Sequence, residues 1–272
     1  MQFPQKGRAP AKILDQLETF KTRDLPWAEG RVFAYVYDAG PVAMRLLKDA
    51  YSSFLVENGL DPTSFPSCLE LERQVVGMAL DLQQGGTGAA GNFTSGGTES
   101  ILLSIKTARD RARDLYPHVA KPNIVIPETG HSSFFKACHY FDVEAISVPV
   151  DPATYCAIPG EMEAAIDDQT ILMVGSAPSY AHGSVDPIAE LGDICQRHDL
   201  LLHVDSCVGG MYLPFAKELG VDIPDFNLAV PGVTQLSMDF HKWGYAAKGA
   251  SAILYKDAAM RDYQVWSWSG WT

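Results

Sequence analysis

Apolar residues recur along this chain with two different periods, and the change from one to the other divides it. Residues 1–30 are polar and proline-containing, which predicts an arm with a short helix near Ala11–Phe20. From Gly40 to Gly59, Val42, Met44, Leu46, Leu47, Ala50, Phe54 and Leu55 keep helical spacing, and Leu69–Leu82 repeats it. The run Gly85-Gly86-Thr87-Gly88-Ala89-Ala90-Gly91 breaks the pattern. A second glycine turn, Thr94-Ser95-Gly96-Gly97-Thr98, then opens a helix whose apolar positions are Ile101, Leu102, Ile105 and Ala108. Further on, Asn123–Pro127, Ala145–Val150, Thr170–Ser176, Leu200–Asp205 and Ser251–Tyr255 are short apolar runs of the kind that form buried strands. Helices are predicted between them over His131–Tyr140, Glu161–Ile166 and Ile188–His198. Such alternation predicts an α/β fold: a mostly parallel sheet flanked by helices, with right-handed crossovers. The predicted organisation is an arm with helices over 1–57 and a ligand-binding large domain over 58–272. Ligands in such sheets sit beyond the carboxyl ends of strands, where Asp205 and the loop after Ser176 fall.

Composition narrows the class. The 272 residues are 47% apolar and 20% charged, as in an ordinary soluble globular protein. With 21 basic and 33 acidic residues the formal charge is -12. That disfavours nucleic acid and anionic membrane as partners, and an anionic substrate would need local basic residues working against the global field. The five cysteines (Cys68, Cys138, Cys156, Cys195, Cys207) lack CxxC spacing, so neither a zinc site nor a disulfide framework is expected. No apolar segment resembles a signal peptide, and no run reaches membrane-spanning length. The expectation is a soluble protein of the reducing cytoplasm.

Two compact motifs carry the candidate chemistry, His203-Val204-Asp205-Ser206-Cys207 and, downstream, Ser237-Met238-Asp239-Phe240-His241-Lys242-Trp243-Gly244. Most lysines are solvated, but Lys242 stands in an apolar, aromatic setting. Asp205 ends a hydrophobic run, where a carboxylate is costly unless paired. An N-cap or a metal ligand are the competing roles for it, and no ligand cluster accompanies it. Pyridoxal phosphate needs this pair: an amine to form a Schiff base with its aldehyde, and a carboxylate to keep its pyridine nitrogen protonated. The Ser95, Gly96, Gly97, Thr98 turn reads alone as an ordinary glycine turn with a cap. Beside such a lysine it becomes a phosphate site, since its N–H groups and the helix dipole favour an anion. His131, at a strand-to-helix junction, suits helix capping or stacking on a ring with proton transfer. Ser237 and His241 could bind the cofactor phosphate. Lys248 reads equally as a solvated loop lysine or as a ligand of a substrate phosphate or carboxylate.

Together these residues resemble the fold-type I pyridoxal phosphate enzymes of the group II decarboxylase superfamily, and within it the sphingosine-1-phosphate lyases. The resemblance runs from about Gly30 to the end of the chain. It rests on Asn58-Gly59-Leu60-Asp61-Pro62-Thr63-Ser64-Phe65-Pro66, Thr94-Ser95-Gly96-Gly97-Thr98-Glu99-Ser100, His131, His203-Val204-Asp205, and Asp239 to Gly244 through Lys248-Gly249. It implies that Lys242 forms the Schiff base and Asp205 holds the pyridine nitrogen. It further implies that His131 stacks on one ring face with Cys207 near the other, and that Gly97, Thr98, Ser237 and His241 surround the cofactor phosphate. Lys248 would bind the substrate phosphate, and Asn58 and Asp61 fall in a segment that lines the active site. The implied activity is retro-aldol cleavage of a phosphorylated long-chain amino alcohol to a fatty aldehyde and phosphoethanolamine, by a homodimer and without a metal. Trp243 stands where those lyases have tyrosine, Tyr245 where they have phenylalanine, Asp61 where they have histidine and Gly59 where they have proline. The last two departures bear on the substrate rather than the cofactor. An amino-acid decarboxylase with the same cofactor residues and a non-catalytic protein of this fold remain open. Trp266, Trp268 and Trp271 near the end lead to the expectation of a chain cut short, with a small C-terminal domain missing and little turnover on its own.

Overall fold

The computed structural model describes residues 2–270. These form two compact units, one up to Asp38 and the other from Ala39 onward. The first holds helix α1 (Pro10–Lys21) and a short 3-10 turn, Trp27–Glu29. The second begins with α2 (Pro41–Ser53) and α3 (Pro66–Leu82), each started by a proline whose missing N–H costs nothing in a first turn. Helix α2 stops short of the predicted Gly59. There Asn58 Oδ1 accepts the Leu60 N–H at 3.1 Å, a local turn that competes with the helical ladder.

The remainder alternates strand and helix: β1 (Ala90–Thr94), α4 (Gly97–Leu115), β2 (Asn123–Pro127), α5 (Ser132–Phe141), β3 (Glu144–Val148), α6 (Pro159–Ala164), β4 (Thr170–Ser176), α7 (Ile188–Arg197), β5 (Leu201–Asp205), α8 (Leu213–Glu218), β6 (Val233–Asp239), β7 (Ser251–Tyr255) and α9 (Ala258–Asp262). Among the described residues the sheet has seven strands in the order β1-β7-β6-β5-β4-β2-β3. The β3–β2, β2–β4, β4–β5 and β5–β6 pairs are parallel, while β7 runs antiparallel to both β6 and β1. The mostly parallel sheet was legible in the sequence; β1 and β6 were not. In β1, Gly91 reads as a breaker, yet a Cβ there would lie 2.7 Å from Leu254 Cδ2 and 2.8 Å from Ile253 O. The glycine is what lets β1 approach β7.

Alternation along the strands builds two core layers. Val125, Met173, Leu202, Val204, Leu236 and Met238 pack with Ile188, Leu191 and Ile194 of α7 on one face. Ile124, Ile126, Leu172, Val174 and Leu201 pack with Ile101 and Ile105 of α4 and Phe134 of α5 on the other. Each layer takes its side chains out of water on both flanks of the sheet, which fixes strand register and with it the residues at the strand ends. Among the described residues no helix is long and apolar enough to cross a membrane, and no cluster of His, Cys, Asp and Glu could hold a metal ion. All five cysteines are free thiols. Trp266 and Trp268 stack with ring centroids 6.5 Å apart and are exposed, and Trp271 lies outside the described residues.

Candidate active site

Because β7 runs against its neighbours, its start rather than its end reaches the carboxyl edge of β5 and β6. Register then places Asp205 beside Ser237, Asp239 opposite Ser251, and Thr94 opposite Ser251 on β7's other side. The strand face toward α4 is apolar in the middle of the sheet and polar at this edge. His203, Asp205, Gln235, Ser237, Asp239 and Ser251 all lie there and are all buried. Such polar groups are tolerated only when bonded to one another or to a ligand.

They are bonded. Ser104 Oγ of α4 donates to Gln235 Oε1, so it accepts from His203 Nδ1 at 2.9 Å. His203 Nε2 then faces Ser237 Oγ at 3.0 Å, and the Cys207 thiol donates to Ser237 Oγ at 3.4 Å. Burial pushes the His203 pKa down to about 4 despite the pull of the Asp205 carboxylate, so the ring is neutral. Asp205 Oδ1 accepts the Cys207 N–H at 3.1 Å and lies 3.4 Å from Ser237 Oγ. Its carboxylate is thus braced from beneath while it faces a cleft of about 500 Å³.

That cleft collects most of the residues singled out from the sequence: Ser95, Gly96, Gly97, Thr98, His131, Asp205, Cys207, His241, Lys242 and Lys248 all line it. The glycine turn is tied down on three sides. Glu99 accepts the Ser95 N–H at 2.6 Å, Thr98 Oγ1 lies 3.0 Å from Ser133 Oγ, and Thr94 Oγ1 lies 2.7 Å from Ser100 Oγ. Gly97 rests directly on the strand ends, since a Cβ there would meet Cys207 Sγ at 2.8 Å and Asp239 Oδ1 at 2.9 Å. His131 is both the cap of α5, accepting the Ser133 N–H at 3.2 Å, and an exposed wall of the cleft.

Lys242 Nζ pairs with Asp239 Oδ2 at 2.9 Å. Burial works against its charge, but the Asp239 carboxylate in contact with it and the Asp205 carboxylate nearby outweigh burial and raise its pKa. Burial, with Asp205 and Asp239 adding to it, lifts the Cys207 thiol well above its usual range, so it is a neutral packing group. Lys248 Nζ donates to His241 O at 3.4 Å, and burial together with the Lys242 charge lowers its pKa. Beyond Lys248 lies a second hollow of about 920 Å³, lined by Leu47 and Tyr51 of α2, Phe54 just after it, Val75 and Met78 of α3, and Phe240.

Three expected residues lie elsewhere. Ser237, expected at a phosphate, is fully buried beneath Asp205, where its hydroxyl is taken up by His203 and Cys207. Asn58 and Asp61 are exposed and line neither hollow; Asp61 Oδ1 accepts from the Thr63 N–H at 2.8 Å and from Thr63 Oγ1 at 2.7 Å, holding its own turn. Among the lining residues that the sequence does not single out are Asp239 and Tyr180. For Asp239 the signal was present: Gln235, Ser237 and Asp239 alternate with Leu236 and Met238, the period of a strand with one polar face.

The cleft offers a helix N-terminal turn for an anion, a buried carboxylate, a lysine and an imidazole wall, a donor set that fits a flat phosphorylated aromatic aldehyde. Comparisons agree. The chain is 42% identical over 269 residues to a sphingosine-1-phosphate lyase of Oryza sativa subsp. japonica, covering 96% of this chain and 49% of that protein. A solved sphingosine-1-phosphate lyase of Burkholderia pseudomallei superposes with a TM-score of 0.95 at 34% identity, covering 100% of this chain and 64% of that one. A glutamate decarboxylase of Lactobacillus brevis, at 24% identity and a TM-score of 0.80 over 96% of this chain and 60% of its own, shares the fold. The chain spans about half the length of the curated lyases it matches. The pyridoxal-dependent decarboxylase conserved domain matches residues 2–263, and the chain belongs to that family.

Proposed function

We propose that the protein carrying this chain is a pyridoxal phosphate-dependent carbon–carbon lyase acting on a phosphorylated long-chain amino alcohol. When bound, pyridoxal phosphate supplies a carbonyl that captures an amine and a ring that accepts the electron pair of a bond broken beside it. Lys242 would provide the protein's covalent link. Asp205, braced by the Cys207 N–H, would hold a proton on the ring nitrogen. Ser95, Gly96, Gly97, Thr98 and His241 would hold the phosphate, with His131 and Cys207 flanking the ring. Asn58 and Asp61 would reach a substrate only across a boundary between two copies of the chain. A homodimer is supported by Val42, Leu46 and Leu55, apolar residues exposed on and just after α2. Five free thiols support a reducing, cytoplasmic setting.

The observation that carries the choice of substrate is the position of Lys248. It lines both the polar cleft and the apolar hollow. A cation at that junction suits a molecule with an anionic head, a reacting amine and an alkyl tail, in a chain whose net charge of -12 would otherwise repel it. An amino-acid decarboxylase would use the same Lys242 and Asp205 and leave Lys248 without a role.

The test is an assay of the full-length protein with a phosphorylated long-chain base and with a panel of amino acids, following aldehyde and carbon dioxide release. Aldehyde from the phosphorylated base is expected. Lys248→Ala should raise KM for that substrate by about tenfold, the worth of one charge-assisted hydrogen bond, while cofactor affinity stays within about twofold. Carbon dioxide from an amino acid without aldehyde release would refute the assignment.

A further inference from the structure

Strand β6 ends on Asp239, which is only 3% exposed. Across the antiparallel pair it faces Ser251, whose Oγ donates to Asp239 Oδ1 at 2.6 Å. Oδ2 takes the Lys242 ammonium at 2.9 Å, reached through the turn that follows the strand. The carboxylate also lies directly beneath Gly97, in the turn read above as the phosphate site. An asparagine would satisfy Ser251 equally well and would spare the repulsion between a carboxylate and an anion in that turn. A buried carboxylate is worth having there only if it has a cation to hold, because unpaired it costs several kcal/mol. Lys242 is that cation.

Resting on the reading of Lys242 as the residue that links to the cofactor, we propose that Asp239 is a positioning residue that receives Lys242 each time a substrate amine displaces it. The substrate nitrogen arrives as an ammonium. While linked, Nζ carries one proton; the substrate nitrogen gives up two protons to Nζ as it takes over the double bond to the carbon that Lys242 holds, and the bond from that carbon to Nζ breaks. Charge and atoms balance, and Lys242 leaves as an ammonium. Asp239 Oδ2 gives that ammonium a fixed, charge-compensated berth next to the cleft, so that the side chain neither blocks the site nor is left as an unpaired buried ion. The same pairing slows the first link, because the amine must shed a proton before it can react. The other titratable or charged groups lining the cleft around Lys242 are Asp205 of β5, Cys207 after it, His241, Lys248, His131 at the start of α5, Glu99 of α4 and Tyr180.

The experiment mixes full-length apoprotein with pyridoxal phosphate across a range of pH. Linked cofactor is trapped with borohydride, and the fraction on Lys242 is counted by peptide mass spectrometry. In Asp239→Asn the pH of half-maximal linking rate should fall by about one unit or more, the usual effect of losing an opposite charge in contact. Asp239→Glu should return it toward wild type, and Ser251→Ala, which removes a neutral tie and keeps the charge, should leave it in place. An unchanged midpoint in Asp239→Asn overturns the proposal, as does an equal shift in Ser251→Ala. The wild type gives a check that needs no variant. Competitive labelling of the apoprotein should show Lys242 titrating above the ordinary lysine value of about 10.4, and a value at or below it also overturns the proposal. Cofactor trapped on a lysine other than Lys242 in the wild type refutes the reading of the site, and this proposal with it. Linking at Lys242 without the shift refutes this proposal alone.

Discussion

Replacing Gly97 by alanine adds one methyl group at the point where the α4 turn rests on the ends of β5 and β6. The new Cβ would lie 2.8 Å from Cys207 Sγ and 2.9 Å from Asp239 Oδ1, whereas ordinary contact begins at 3.4 Å. Neither neighbour can retreat easily. Cys207 is pinned through its N–H to Asp205 and its thiol to Ser237, and Asp239 is held by Ser251 and Lys242. The turn must therefore lift by roughly half an ångström, and overpacking of this kind costs about 1–3 kcal/mol. The peptide N–H groups that would face a phosphate move with the turn, so the site loses affinity as well as stability. Urea unfolding of the apoprotein reads the first effect. Titration with pyridoxamine phosphate, whose amine cannot link to Lys242, reads the second, where about a tenfold weakening is expected, equivalent to about 1.4 kcal/mol. A Gly97→Ala protein with stability within about 0.5 kcal/mol of wild type and unchanged affinity would refute the close seating of the turn and its role toward an anion.

Two further outcomes follow from the groups beneath the cleft. Asp205→Asn should still link the cofactor at Lys242 but lose turnover by about tenfold or more, because the neutral amide no longer favours a proton on the ring nitrogen; near-normal turnover would count against that role. His203, whose pKa falls from 6.5 to about 4 on folding, binds its proton more readily in the unfolded chain. Stability should therefore drop as pH falls through that window, by a contribution of about 3 kcal/mol that is complete below pH 4. In His203→Asn the urea midpoint should lie closer to its neutral-pH value at pH 5 than the wild type's does, and parallel pH profiles for the two proteins would show that His203 is not buried neutral.

Asp205 and Lys242 were legible in the sequence because each breaks the pattern around it: a carboxylate closing a run of five mostly apolar residues, and a lysine among aromatic ones. Strands β2, β4 and β7 were legible to the residue, since unbroken apolar runs of four or five residues that begin just after a polar one have few other uses. Strand β6 was not, because four of its seven residues are polar. Their burial depends on Ser104, more than a hundred residues earlier in the chain, which no local window reveals. The same long-range bonding explains why the sequence alone presents Ser237 as a ligand-binding group. A serine in a motif shows what it can bond, and only the sheet shows that His203 and Cys207 have already claimed it. Asn58 and Asp61 illustrate the converse, residues matched to a family segment whose side chains here serve their own turn.

The reversed strand β7 also has a consequence for how the site comes into being. Thr94 is aligned with Ser251, and Ala90 with Tyr255, so among the described residues the strand that leads into the glycine turn is hydrogen-bonded to the sheet only through β7. During synthesis the ribosome must add about 160 residues after β1 before its pairing partner exists. Contacts of such separation carry a large loop-closure cost and form slowly. Until residue 255 has left the exit tunnel, Asp205 can already stand at the end of β5 and α4 can pack on the strands already made, while the strand that leads into the glycine turn has no partner to pair with. A nascent chain would thus hold most of its core before the glycine turn is fixed from its strand side, and completion of the cleft would coincide with closure of the sheet.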